Sequence, residues 1–218
     1  MKKLLSGLSV LFVLFVIGCG GGGSSSDDGG VSADPTPIGY DLRTFIDKSS
    51  FRVEGTIDDV NTLVTYISEY IGSEDYLGTL LDVHQNVLSL NYSGGVTAET
   101  SYTGTYLGNI YTIEGPSRNC EIVDGHTPTP VPTDATIGYI SDTVPLSCTD
   151  GVTVVVYFEL QDGGDNTALL VSTSKTYING ETLVVESISK IDTNLNLLAY
   201  EMQIGSDIHF EATSITQY

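Results

Sequence analysis

From about Ile38 to the C-terminus, runs of β-branched and aromatic residues alternate with clusters of Gly, Asn, Asp and Pro. The spacing, about 8–12 residues, is that of short strands joined by turns. The clearest run is Val152 to Leu160, VTVVVYFEL. The clearest hairpin joins Thr103–Leu107 to Ile110–Glu114 through Gly108-Asn109, since two-residue Gly/Asn turns match the twist of paired strands. Further breaks at Asn91 to Gly95, Gly163 to Asn166, Asn179-Gly180, Asp192 to Asn196 and Gly205 to Asp207 delimit antiparallel strands. One segment, DDVNTLVTYISEYIG, carries two patterns. Val60, Leu63, Val64, Ile67 and Ile71 have helical spacing, with Asp58 or Asp59 as a cap and Gly72 as a stop, but its Thr, Val, Tyr and Ile content favours a strand. The strand is the preferred reading.

The two halves share an ordered set of matches. Ile38-Gly39-Tyr40 corresponds to Ile137-Gly138-Tyr139, Glu54 to Glu159, Tyr70-Ile71 to Tyr177-Ile178 and Asp82 to Asp192, with offsets that grow slowly along the chain. This suggests an internal duplication, with repeats over 38–118 and 136–218. Between them, the Pro-rich stretch 124–135 cannot form a central strand and reads as an extended connector or surface loop. Large apolar residues fall on both faces of runs such as Thr182–Ile188 and Leu195–Tyr200, so each sheet face needs a cover. The expected fold is all-β and antiparallel, about ten to twelve strands in a barrel-like or two-sheet arrangement spanning 38–218.

Charge narrows the partners. With 8 Lys+Arg against 28 Asp+Glu, the net charge is −20, and the basic residues outside the N-terminus are scattered. No basic patch exists to bind a phosphate backbone, so nucleic acid is excluded as a partner. The 40% hydrophobic content is too high for a disordered chain.

The N-terminus has its own pattern. Lys2 and Lys3 precede an apolar stretch from Leu4 to Ile17, which then meets Gly18 and Cys19. This is the form of a signal peptide over 1–18, too short to cross a bilayer comfortably. Val16-Ile17-Gly18-Cys19 resembles the lipobox of bacterial lipoproteins, a match confined to the export segment. The resemblance implies diacylglyceryl transfer to the Cys19 thiol, cleavage before Cys19 and acylation of the new amino terminus. Gly20 stands where, in the enteric family pattern, Asp would signal retention in the inner membrane, so the outer membrane is favoured. Residues 19–37 are then a lipidated Cys and a Gly/Ser/Asp tether. As a coil, the segment after Cys19 would average about 20–25 Å end to end.

With Cys19 acylated, Cys120 and Cys148 remain in an oxidising compartment and are expected to form a disulfide across the connector. His84, His126 and His209 lack metal-ligand spacing, and no metal or other cofactor is expected. Asp162, Asp165 and Asn166 in QDGGDN have calcium-type oxygens, but turn chemistry explains them without an ion. No GxSxG, SxxK, P-loop or dinucleotide fingerprint is present, and no catalytic residue is assigned. Tyr66, Tyr70, Tyr76, Tyr92, Tyr102, Tyr106 and Tyr111 suit cross-strand packing, and secondarily a binding groove. The expectation is a lipid-anchored cell-envelope protein, attached to the membrane by acyl chains on Cys19, that binds a protein partner rather than catalysing a reaction. The alternatives are a carrier of an apolar ligand in a barrel cavity and an envelope hydrolase.

Overall fold

The structure, a computed structural model, describes residues 38–57, 62–178 and 180–218. Cys19, the signal segment and the tether lie outside the described residues. Among the described residues, one short helix, α1 (Leu42–Lys48), is followed by twelve strands: β1 (Phe51–Ile57), β2 (Thr62–Tyr76), β3 (Thr79–Tyr92), β4 (Gly95–Tyr106), β5 (Asn109–Glu114), β6 (Asn119–Ile122), β7 (Val144–Cys148), β8 (Thr153–Asp162), β9 (Thr167–Ile178), β10 (Glu181–Asp192), β11 (Leu197–Ile204) and β12 (Ile208–Gln217). Each strand pairs antiparallel with its neighbours in sequence, and β12 pairs back onto β1. The all-β expectation resolves into a closed barrel that takes strands from both halves of the chain.

Alternation sets the faces. In β8, Val154, Val156, Phe158 and Leu160 are buried inside while Val155, Tyr157 and Glu159 point outward. A slip of one residue would turn this whole set to water. The outer face carries Arg52, Glu54, Glu159, Lys175, Glu186 and Glu201. A barrel embedded in hydrocarbon has the opposite arrangement, with an apolar band outside. The segment DDVNTLVTYISEYIG becomes β2 from Thr62 onward, with Val64, Tyr66 and Ser68 inward; residues 58–61 lie outside the described residues. The β4–β5 turn is Leu107-Gly108, one residue earlier than the sequence suggests. Both residues have positive φ (51° and 79°), the geometry that a type I′ turn requires, and Asn109 pairs with Tyr106 as the first residue of β5.

Helix α1 is the element that strand periodicity does not announce. Asp41 caps it by accepting from the Thr44 amide (2.9 Å) and hydroxyl (2.7 Å). Leu42, Phe45 and Ile46 form one apolar face and are fully buried in the barrel mouth. Each such side chain contributes roughly 1.5–3 kcal/mol by leaving water.

The connector is a strap rather than a link between domains. Val131 is completely buried, its amide donates to Leu107 O (2.9 Å), and its carbonyl accepts from Arg43 Nε (2.8 Å). Ala135 pairs with Tyr40, so the strap and the residues leading into α1 close the same end of the barrel. The matched residues of the suggested duplication do not describe a rotational symmetry of this barrel. Glu54 lies on β1 and Glu159 on β8, and a shift of seven positions in an up-and-down ring reverses strand direction. Tyr70-Ile71 on β2 and Tyr177-Ile178 on β9, and Asp82 on β3 and Asp192 on β10, stand in the same reversed relation.

Cys120 and Cys148 form a disulfide and are direct register partners on β6 and β7. These are the shortest strands, and their three register pairs are extended at the ends by bonds from Thr149 N to Asn119 O (2.8 Å) and from Val123 N to Pro145 O (3.1 Å). The disulfide therefore reinforces one of the two shortest ladders of the ring, at the base of the strap. Replacing both cysteines with Ala should lower unfolding stability by about 3–4 kcal/mol, the denatured-chain entropy of a loop this long. Chemical denaturation under non-reducing conditions measures it, and an unchanged midpoint would refute it.

Candidate functional site

The barrel's plugged mouth is organised around Asp47 and Asp82. Asp47, on the last turn of α1, is 5% exposed. Its carboxylate accepts from the Thr105 hydroxyl (2.6 Å) and from the Gly108 amide (3.0 and 3.1 Å). Gly108 has no alternative residue here, because a Cβ would lie 2.5 Å from Val131 Cβ of the strap. His84 Nε2 lies 3.0 Å from Asp47 O, which fixes the helix to β3. Burial pushes the Asp47 carboxyl above its ordinary value of 3.8; the Thr105 and Gly108 hydrogen bonds and Lys48 oppose the rise, and Asp82 adds to it. Burial also lowers the His84 imidazole, against the bond to Asp47 O.

Asp82 faces the other side of the helix end. It accepts from Lys48 Nζ (2.5 Å), Ser73 Oγ (2.7 Å) and Tyr70 OH (3.3 Å). Burial alone would raise its carboxyl, but the hydrogen bonds from Lys48 and Ser73 outweigh it and hold the group below 3.8. Lys48 Nζ also sits 4.3 Å from the Tyr70 ring centroid.

Just beyond Tyr70 the β2–β3 hairpin departs from the barrel wall. The register shifts between Tyr70 and Gly72, and Gly72 takes φ +128° with open space around it, so glycine serves the bend rather than the packing. The tip then folds over the outer face. Tyr76 donates to Glu121 Oε2 (2.7 Å) on β6, although β2 and β6 are separated by roughly 19 Å around the sheet at the usual strand spacing. Leu81 packs onto Gly104 of β4, where a Cβ would fall 2.8 Å from Leu81 Cδ1.

Between the folded tip and the wall lies an outward-opening groove of about 280 Å³. Ile71, Leu81, Val83 and Tyr102 supply its apolar surface. Glu74, Asp75 and Glu114 supply carboxylates, with Glu121 and Asp124 close by at the Tyr76 hydroxyl. That hydroxyl is pushed up to about 12 by burial and by its bond to Glu121.

Most of the residues singled out by sequence fall elsewhere. Tyr66 lies inside the barrel, its hydroxyl donating to Asn86 Oδ1 (2.9 Å), while Tyr106 and Tyr111 pair edge to face at 5.6 Å. Tyr76 and Tyr102 are the members of the tyrosine set that reach the groove. His84 is in the plugged mouth, His126 is in the strap and His209 lies 3.9 Å from Glu201 on the outer face; they do not meet. In QDGGDN, Asp162 accepts from the Gly164 amide (2.9 Å), and Asp165 and Asn166 take positive φ, as a tight turn requires. Among the described residues, no group of three or more His, Cys, Asp or Glu side chains is placed to hold a metal ion. The groove's carboxylates were not singled out by sequence. Their one signal was Gly72 inside a long β-run, which marks a bulge as well as it marks a helix end.

Comparison of the chain with family models, with curated proteins and with solved structures finds no match.

The burial of Asp47 has a measurable sign. Its folded-state carboxyl is held above the ordinary value, so its contribution to stability is complete below about pH 4 and is lost as pH rises through the folded value. Asp47→Asn removes this titration. The stability of Asp47→Asn relative to wild type should move in the variant's favour between about pH 4 and pH 7, measured by urea unfolding at both. A difference that stays flat with pH would refute the assignment.

Proposed function

We propose that this chain is a lipid-anchored interaction module of the bacterial cell envelope, which binds a protein partner through its outer surface and does no chemistry of its own. The observation that carries this reading is where the barrel has room. Among the described residues, a space of about 10 Å³ lies inside beneath α1 and another of about 10 Å³ at the opposite end, between Ile57, Val64, Leu88 and Phe210. Cavities that hold a small ligand measure roughly 300–1,000 Å³. A groove of about 280 Å³ opens instead on the exterior. This favours surface recognition over carriage of an apolar ligand.

The anchor in this reading rests on Val16-Ile17-Gly18-Cys19, and Gly20 favours the outer membrane as its site. The Cys120–Cys148 disulfide fits a compartment beyond the inner membrane. A chain of net charge −20 is repelled by anionic lipid, so acyl chains, at about 0.8 kcal/mol per buried CH₂, would supply the attachment. The tether would join the barrel at Ile38, two residues before Tyr40 at the plugged mouth.

Two measurements test the proposal. A labelled fatty acid should be incorporated by the wild type in a bacterial host and lost on Cys19→Ala; label retained by the variant would rule out the anchor. Organic extraction of purified Cys19→Ala protein, followed by mass spectrometry, should yield no stoichiometric lipid. A stoichiometric lipid would replace the interaction module with a carrier.

A further inference from the structure

Resting on the reading of this chain as an interaction module, we infer that the groove under the folded β2–β3 hairpin is the docking site, and that its occupant is a basic segment of a partner protein. Such a segment would present Lys or Arg side chains whose alkyl stems lie on the groove's apolar wall.

Charge complementarity selects the occupant. Glu74, Asp75 and Glu114 line the groove, and Glu121 and Asp124 adjoin it. Among the described residues, the Lys and Arg side chains are engaged or placed elsewhere. Lys48 binds Asp82, Arg52 binds Glu54, Arg118 binds Asp150, Arg43 binds the Val131 carbonyl and Lys175 lies over the Tyr157 ring. Lys190 stands on β10, on the far side of the ring. Asp75 accepts from the Gly78 amide (3.3 Å) and Glu121 from Tyr76, but among the described residues no Lys or Arg neutralises the groove carboxylates, which leaves their charge for an external cation. A second copy of this chain, equally acidic, is a poor occupant.

Shape and chemistry refine the choice. Carboxylates alone would be satisfied by a hydrated ion, but Ile71, Val83 and Leu81 form an apolar wall between them, and Tyr102 adds an aromatic face. Lys and Arg combine an apolar stem with a charged head, and an aromatic ring holds that head further. The volume of about 280 Å³, at the lower edge of the range for small-molecule sites, has room for one or two inserted side chains of a longer segment. The groove is also held in shape before binding, by the Tyr76–Glu121 bond at the tip and the Asp82 cluster at the bend, which reduces the ordering cost of association.

The test uses the full chain carrying Cys19→Ala and the acetylated, amidated pentapeptide Lys-Leu-Lys-Leu-Lys, titrated by calorimetry at low and physiological salt. Saturable binding that weakens with salt is expected. Glu74→Gln/Glu114→Gln should weaken it at least tenfold, whereas Glu186→Gln/Glu201→Gln, which removes the same charge from β10 and β11, should change it less than twofold. Ile71→Ser should weaken it at least threefold. Equal losses in the two double variants would reduce the effect to net charge and overturn the site. An unaltered affinity in Ile71→Ser would overturn the apolar-stem geometry, and spermidine binding as tightly as the peptide would replace the protein segment with a small polyamine. Preserved near-ultraviolet circular dichroism identifies variants that remain folded. The fatty-acid labelling reads the anchor independently, so failure at the groove and failure of the anchor are distinguishable.

Discussion

Closing twelve antiparallel strands into one ring encloses more space than the strands' own side chains can fill. An eight-stranded barrel is just wide enough to be packed by its inward residues, and diameter grows with strand number. This chain meets the excess with a plug. Leu42, Phe45 and Ile46 of α1 enter the mouth, and the largest inward side chains gather beside them. Tyr66 stacks on Tyr200 at 6.0 Å, Phe51 lies 5.9 Å from both, and Phe210 meets Tyr200 edge-on at 6.2 Å. Buried aromatics on this scale bring polar atoms with them, and the interior answers with a relay in which Tyr66 donates to Asn86 and Asn86 to Thr103 (3.0 Å). Small residues accompany large ones: Ser189 is the register partner of Tyr200, and Ser187 of Met202.

Much of this architecture was legible because strands and turns differ in local composition. Val152 to Leu160 is a near-continuous β-branched and aromatic run that marks a strand but not its faces, which appear only in the alternating burial of Val154, Val156, Phe158 and Leu160, while the Gly, Asn and Asp breaks mark the turns to within a residue. The suspected disulfide was legible by elimination. The plug was not, because a helix of seven residues offers less than two turns of pattern and sits in a region of otherwise β-like composition. Asp41 three residues before Thr44, with Leu42, Phe45 and Ile46 on one face, was the available signal. The choice between one barrel and two packed sheets was equally hidden, since it depends on whether β12 reaches β1. That closure rests on Gly55, where a Cβ would lie 2.1 Å from Glu211 O and force the strands apart.

The groove was illegible for a different reason: it depends on strand length relative to the barrel wall. β2 and β3 run to Tyr76 and from Thr79, but β4 accompanies β3 only from Asp82 onward. Residues 79–81 would otherwise leave an unpaired edge projecting from the ring, a surface that natural sheets cover or blunt. Folding the tip against the outer face covers that edge, seats Leu81 on Gly104, and leaves a gap where the bend is widest.

The same geometry joins the groove to the plug. Asp82 begins the overhang and also receives Lys48 from the end of α1, while Tyr70 and Ser73, on either side of the bulge, donate to the same carboxylate oxygen. Asp47, the residue before Lys48, holds the β4–β5 turn, and β4 and β5 form the groove floor through Gly104, Thr112 and Glu114. The helix that fills the oversized interior is thus bonded to both hairpins that form the exterior groove, to β2–β3 through Asp82 and to β4–β5 through Gly108. A shift of α1 in the mouth would move the bend and the floor together, so the packing that makes the ring stable also sets the shape of the surface it presents.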